Sequence, residues 1–250
     1  MGGPAENKFK KFLPFVILLL GILVLVGVFL FVKNKKGVTE VVDEKALIEV
    51  ALADRPVASL TPTDDGHWLK LMVSKINIPG VETMDYELLY KLPDGRTQGV
   101  PGTINLKNEK EIERDLLLGS ESSGKFRYDE GVEGGTITLR FRNTKGKLVV
   151  KFSSEFSLLT QVSKLASKDG DFKYTLDKES SEYFVVMETF GFPGELPDGN
   201  ITGPYGVFSS ATKKLPGEVD MAGTVYHWDG SVRDEISGAS TDIGIFVASK

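Results

Sequence analysis

Residues 12–32, FLPFVILLLGILVLVGVFLFV, run for 21 positions without a charge or a side-chain hydrogen-bonding group. No other feature limits the folding of this chain so sharply. At about 1.5 Å rise per residue, a helix of this length extends roughly 32 Å, which matches a bilayer's hydrocarbon core of about 30 Å. Only a segment that satisfies its own backbone survives there, and a helix does so. A buried helix of a water-soluble domain is rarely apolar on every face over nearly six turns. The sequence therefore predicts a single transmembrane helix over residues 12–32, contacting membrane lipid, behind a basic tail of residues 1–11.

Lys8, Lys10 and Lys11 precede the apolar run, and Lys33, Lys35 and Lys36 follow it. The run is longer than the apolar core of a cleaved signal peptide, and lysines stand where small residues should precede a cleavage site. A retained anchor is expected. The lysines on the two flanks balance, so the positive-inside rule alone does not set the orientation. The first 37 residues hold six lysines and one glutamate and the whole chain sums to −5, so residues 38–250 carry −10. An acidic domain behind an N-terminal hydrophobic segment fits a signal-anchor: tail inside, domain outside the cytoplasm, in the cell membrane. The inverse topology, with only the tail crossing, is the alternative.

The chain contains no cysteine. Disulfides, thiolate metal sites, iron–sulfur clusters, lipoprotein processing and cysteine nucleophiles are excluded together. The acidic balance argues against a nucleic-acid partner, which demands a basic surface.

Beyond a polar connector of residues 33–44 the dominant period is two. In Thr136-Ile137-Thr138-Leu139-Arg140-Phe141-Arg142, Ile137, Leu139 and Phe141 share one face, and the threonines and arginines share the other. Asn143-Thr144-Lys145-Gly146 then turns the chain into Lys147-Leu148-Val149-Val150, a hairpin signature. Asp-Gly turns recur at residues 65–66, 94–95, 169–170, 198–199 and 229–230. Strands with one apolar and one polar face describe antiparallel sheets packed face to face. The predicted class is mainly β: the N-terminal helix, then two antiparallel β-sandwich-like modules over residues 45–155 and 156–250, the first about the size of an immunoglobulin-like sandwich. Residues 109–118 fit either a helix or the entry to a strand, and residues 155–168 are similarly ambiguous.

Catalytic chemistry is thinly supplied. His67 and His227, the only histidines, cannot make a three-histidine zinc site, and no His-Glu-x-x-His occurs. Ser-x-x-Lys spacing at Ser122–Lys125 and Ser210–Lys213 lacks the companion motifs of penicillin-binding enzymes. The Asp-Gly turns place hard oxygen ligands as calcium loops do, but aspartate in a tight turn more often bonds its own backbone. No cofactor motif and no metal site are read. The remaining candidates are aromatic. Residues 190–206 form a Gly/Pro-rich stretch bearing Phe190, Phe192 and Tyr205, and Trp68 shares a strand face with Lys70 and Ser74. Exposed rings suit a protein or glycan ligand, although rings so placed more often close the ends of a β core. The functional expectation is a membrane-anchored surface protein that binds or builds the envelope and is not an enzyme. Alternatives are a membrane-tethered envelope hydrolase and an assembly subunit of an envelope complex.

Overall fold

The computed structural model describes residues 21–27, 47–107, 109–231 and 233–250. The chain divides into two units, residues 1–45 and 46–250. In the first, residues 21–27 are helical; the rest of the segment expected to cross the membrane lies outside the described residues. Among the described residues no helix is long and apolar enough to cross a membrane.

The regular structure of the second unit is almost wholly strand, with turns and irregular segments between the strands. After a 3-10 turn, Leu52–Asp54, the strands follow as β1 (Val57–Pro62), β2 (Trp68–Ser74), β3 (Val81–Lys91), β4 (Thr97–Asn105), β5 (Ile112–Leu117), β6 (Gly119–Ser122), β7 (Lys125–Tyr128), β8 (Gly134–Asn143) and β9 (Leu148–Leu159). Then come β10 (Val162–Ala166), β11 (Lys173–Ser180), β12 (Phe184–Glu188), β13 (Ile201–Ser209), β14 (Gly217–Asp220), β15 (Thr224–Trp228), β16 (Arg233–Ile236), β17 (Ala239–Ser240) and β18 (Ile245–Ser249). A nine-stranded sheet runs β16-β15-β18-β13-β12-β9-β8-β3-β4; a three-stranded sheet runs β1-β2-β5, a four-stranded sheet β10-β11-β14-β17, and β6-β7 form a ribbon of their own. The pairings are antiparallel. Residues 109–118 and 155–168, ambiguous by pattern, are strand where they are regular.

Period two becomes packing in β8. Ile137, Leu139 and Phe141 are fully buried, while Arg140 and Arg142 reach across to Glu87 at 2.9 Å and Asp85 at 2.6 Å. The hairpin after β8 forms as its residues require: Gly146 takes φ +73°, its N–H donates to the Asn143 carbonyl, and the Asn143 side chain accepts from the N–H groups of Lys145 and Lys147.

Two large apolar cores flank the large sheet, and a smaller third cluster gathers Val57, Phe192, Ile245 and Val247. Of the two large cores, the first gathers Leu60, Leu69, Leu71, Met84, Leu139 and Phe141 among others from β1, β2, β3 and β8; the second gathers Phe172, Tyr174, Val207 and Phe246 from β11, β13, β18 and the turn before β11. The strand β12, Phe-Val-Val-Met-Glu, joins them. Val185 and Met187 enter the first core, and Phe184 and Val186 the second. A strand covered on both faces must be apolar at successive positions, which is why β12 shows no alternation. The junction between residues 155 and 156 expected from pattern falls inside β9, and the sheet runs on through it.

Candidate functional site

The β6-β7 ribbon is the part of the second unit least used by its cores. Its turn is the two-residue loop Ser123-Gly124, with φ +53° and +75°, the doubly left-handed geometry that matches the twist of a tight hairpin. Ser122 pairs with Lys125, so that Ser-x-x-Lys spacing is the closing pair of a turn, not a nucleophile and its base. A bare two-stranded ribbon is marginal in water, and this one is held at its base. The buried Tyr90 hydroxyl donates to Asp129 Oδ2 at 2.8 Å, Asp129 N–H donates to the Leu118 carbonyl, and Leu118 N–H to the His67 carbonyl. Burial, and then the Asp129 carboxylate, raises the Tyr90 phenol above its ordinary range, so it stays a donor.

Along β7 the residues alternate Lys125, Phe126, Arg127, Tyr128. Phe126 is 46 % exposed and Tyr128 37 %. Their planes are nearly parallel, at 5° with centroids 6.2 Å apart. His67 stacks on Tyr128 at 4.1 Å and 6°, and Trp68 meets Phe126 edge-on at 5.6 Å. The result is a row of four rings, fed from the start of β2 and from β7. His67 Nε2 lies 3.4 Å from Glu130. Its Nδ1 lies 3.2 Å from Asp65 Oδ2 but is not aligned as a hydrogen bond, leaving that buried nitrogen without one. Asp65 is itself held by the Thr63 hydroxyl at 2.6 Å and the His67 N–H at 3.0 Å, and these two bonds lower its carboxyl below the usual range.

Beside the row, His67, Asp65, Glu130 and Glu133 line a cleft of about 390 Å³. A neighbouring cleft of about 530 Å³ shares Gly131, Glu133 and Lys168 with it and adds Glu155. The chain enters this unit at the opposite end of the sheet. Ile48 N–H donates to the Val149 carbonyl next to the β8-β9 turn, whereas Tyr90 pairs with Gly135 at the start of β8. The ten residues of β8 separate the two ends by about 30 Å.

Of the rings singled out by sequence, Trp68 alone stands in this row, partly exposed. Phe190 is 4 % exposed, Phe192 0 % and Tyr205 5 %, which corrects the expectation that they line a surface loop. Phe190 packs on Phe152 and Phe192 against Trp228. Tyr205 stacks on Phe172 and donates its hydroxyl to Asp169 Oδ2 at 2.6 Å. The stretch is also less loop than its Gly/Pro content suggests, because β13 begins at Ile201. Phe126 and Tyr128 were missed. The signal that finds them is Phe-x-Tyr alternating with Lys and Arg right after Ser-Ser-Gly: a strand with rings on one face and no branched apolar residue to build a core around.

Four of the five Asp-Gly turns use a carboxylate oxygen on their own backbone. Asp65, Asp94, Asp169 and Asp229 each accept the N–H two residues ahead, as aspartate does in tight turns.

His227 is a core residue. It is buried, lies flat on Phe246 at 4.5 Å and donates from Nε2 to the Ile243 carbonyl at 3.3 Å. Ser240 Oγ, 3.4 Å from Nδ1, is equally buried and gives its proton to the Asp242 carbonyl at 2.6 Å. Burial holds the imidazole below its ordinary 6.5, against the smaller opposing influence of the Ile243 carbonyl and then of Asp229, Asp242 and Asp234. The folded state therefore refuses a proton that the unfolded state accepts. Stability is full above about pH 6.5 and declines as pH falls below it, levelling off under the folded value. Urea melts from neutral to acid pH are expected to show this decline. A His227→Gln variant, less stable at neutral pH, should lack that part of the slope; parallel profiles for the two proteins would rule out His227 as its source.

Set against protein families, curated proteins and solved structures, the chain matches none.

Proposed function

We propose that this chain is a single-pass membrane-anchored protein of the cell membrane whose β domain lies outside the cytoplasm and serves as a binding module, not an enzyme. Residues 12–32 are its transmembrane helix. Residues 45–155 and 156–250 are two sandwich-like modules fused along one sheet, a reading supported by the separate apolar cores on its two faces. The observation that carries the binding role is the row of rings. Phe126 and Tyr128 are large apolar side chains left in water on a ribbon pinned by Tyr90 and Asp129, at the end of the sheet remote from where the chain enters. Rigid, exposed aromatic rings offer contact area at little conformational cost.

A tethered envelope hydrolase is the second reading, favoured by one observation: Glu133 and Glu155 line the same 530 Å³ cleft, and paired carboxylates suffice for glycoside hydrolysis.

One experiment separates them. The full-length protein, displayed on intact cells, is tested for capture of envelope components beside a Phe126→Ala/Tyr128→Ala variant. The double variant is expected to reach the surface folded, stay open to protease added outside, and lose capture. Protease sensitivity only after the membrane is breached would sink the orientation. Turnover of an envelope polymer, lost in Glu133→Gln or Glu155→Gln, would replace the binding role with the hydrolase.

A further inference from the structure

The ribbon segregates charge between its faces. In the pairing register Glu121 stands opposite Phe126 and Gly119 opposite Tyr128, while Ser120 pairs with Arg127 and Ser122 with Lys125. Side chains of directly paired residues share a face, and neighbours along a strand alternate. One face thus carries Phe126, Tyr128 and the Glu121 carboxylate; the other carries Lys125 and Arg127 among serines. Next to the rings stand Glu130, its side chain 83 % exposed, and Asp65, 54 % exposed. The rings are therefore bordered by anionic groups, and the ribbon's own cations are turned away from them.

Resting on the reading of this ribbon as a binding surface, we infer that its ring-bearing face docks a cationic polypeptide segment of a partner protein. Lys or Arg side chains of the partner lie against the exposed parts of Phe126 and of Tyr128, one face of which His67 already covers, and pair with Glu121 and Glu130. A guanidinium or ammonium near an aromatic face is attracted by the ring quadrupole, and an adjacent carboxylate adds a charge-assisted hydrogen bond. The acidic balance of −10 over residues 38–250 steers such a partner inward at long range. Other occupants fit less well. Anionic lipid and phosphate polymers meet the same carboxylates as repulsion. A wholly apolar segment strips water from Glu121 and Glu130 without replacing it. A neutral glycan stacks on the rings but gains nothing from the separation of charge.

The test uses the full-length protein in a non-ionic detergent and four probes: a short Arg/Ser/Gly peptide, the same peptide with Gln for Arg, the same with Glu for Arg, and a neutral glucan oligosaccharide. Titration calorimetry reads binding at low and at physiological salt, and thermal melts confirm that every variant is folded. The Arg peptide is expected to bind and the other three not to, with affinity falling severalfold as salt screens the exposed charges. Phe126→Ala/Tyr128→Ala and Glu121→Gln/Glu130→Gln should each weaken it about tenfold. Asp177→Asn/Glu179→Gln removes the same charge from β11 and should leave affinity within about twofold, as distant independent sites do. An equal loss in that distant variant would mean general attraction to an acidic protein and overturn the inference. Ring-dependent binding of the glucan in place of the Arg peptide would overturn the cationic partner while leaving the ribbon as the binding surface. Indifference of every probe and of envelope capture to the ring variant would remove both.

Discussion

Phe141→Asp is expected to abolish the cooperative unfolding transition of residues 46–250, while Arg140→Asp lowers it by only about 1–2 kcal/mol. The two positions are adjacent in β8 and differ in the face they serve. Phe141 is fully buried among the first core, with the Phe152 ring at 6.1 Å. A carboxylate there loses the ring's burial and has no cation within the core, a combination costing several kcal/mol. That is comparable to the roughly 5–15 kcal/mol that holds a whole domain together. Arg140 is about one-third exposed and pairs with Glu87. Aspartate at that position breaks the pair and sets a like charge beside Glu87 and Asp85, but water remains available to all three. Chemical denaturation followed by near-ultraviolet circular dichroism reads the difference. Similar midpoints for the two variants would contradict the register in which Phe141 pairs with Val150.

The inward face of β8 is legible in the sequence, because Ile137, Leu139 and Phe141 alternate with polar residues and Gly146 closes a turn. The same rule reads β2, where buried Leu69, Leu71 and Val73 alternate with partly exposed Trp68, Lys70 and Met72. It fails at β12. Phe184, Val185, Val186 and Met187 feed two cores at once, so the strand shows neither period, and a pattern search has no means of seeing that one sheet continues between the two halves. Residues 109–118 illustrate a different limit. Their glutamates and leucines have good helix propensity, yet β5 pairs with β2 along Ile112–Leu117, and the burial of Ile112 and Leu116 outweighs the local preference. The site was half legible. Trp68 follows from strand parity alone. Whether a ring in a Gly/Pro-rich stretch faces water depends on what crosses beneath it, and Phe190 makes a bridge to Val57, more than a hundred residues earlier. Such a contact leaves no local trace.

Phe192→Ala and Phe126→Ala should therefore part in opposite directions. Phe192 has no exposed surface. Its ring meets Trp228 at 6.0 Å beside Ile245 and Val247, and its carbonyl accepts from Lys75 Nζ at 2.9 Å. Removing the ring leaves a cavity that the surrounding strands cannot fill, at a cost of about 3–5 kcal/mol. Any effect on ligand capture should then follow the folded fraction and vanish under conditions where the variant is fully folded. Phe126 has nearly half its surface in water, and its neighbours Trp68 and Tyr128 stay in place when it goes. Its loss should cost less than about 1 kcal/mol, as at other exposed positions, and should reduce capture at full foldedness. Measuring stability and capture on both proteins keeps the two roles apart. A ring that only fills space changes binding through stability, whereas a ring that meets a partner changes binding alone. Were Phe126→Ala as destabilising as Phe192→Ala, the ribbon would be a lid closing the first core rather than a surface offered to a partner. Its exposure would then reflect the shortage of polar residues to cover a small domain and not a binding role.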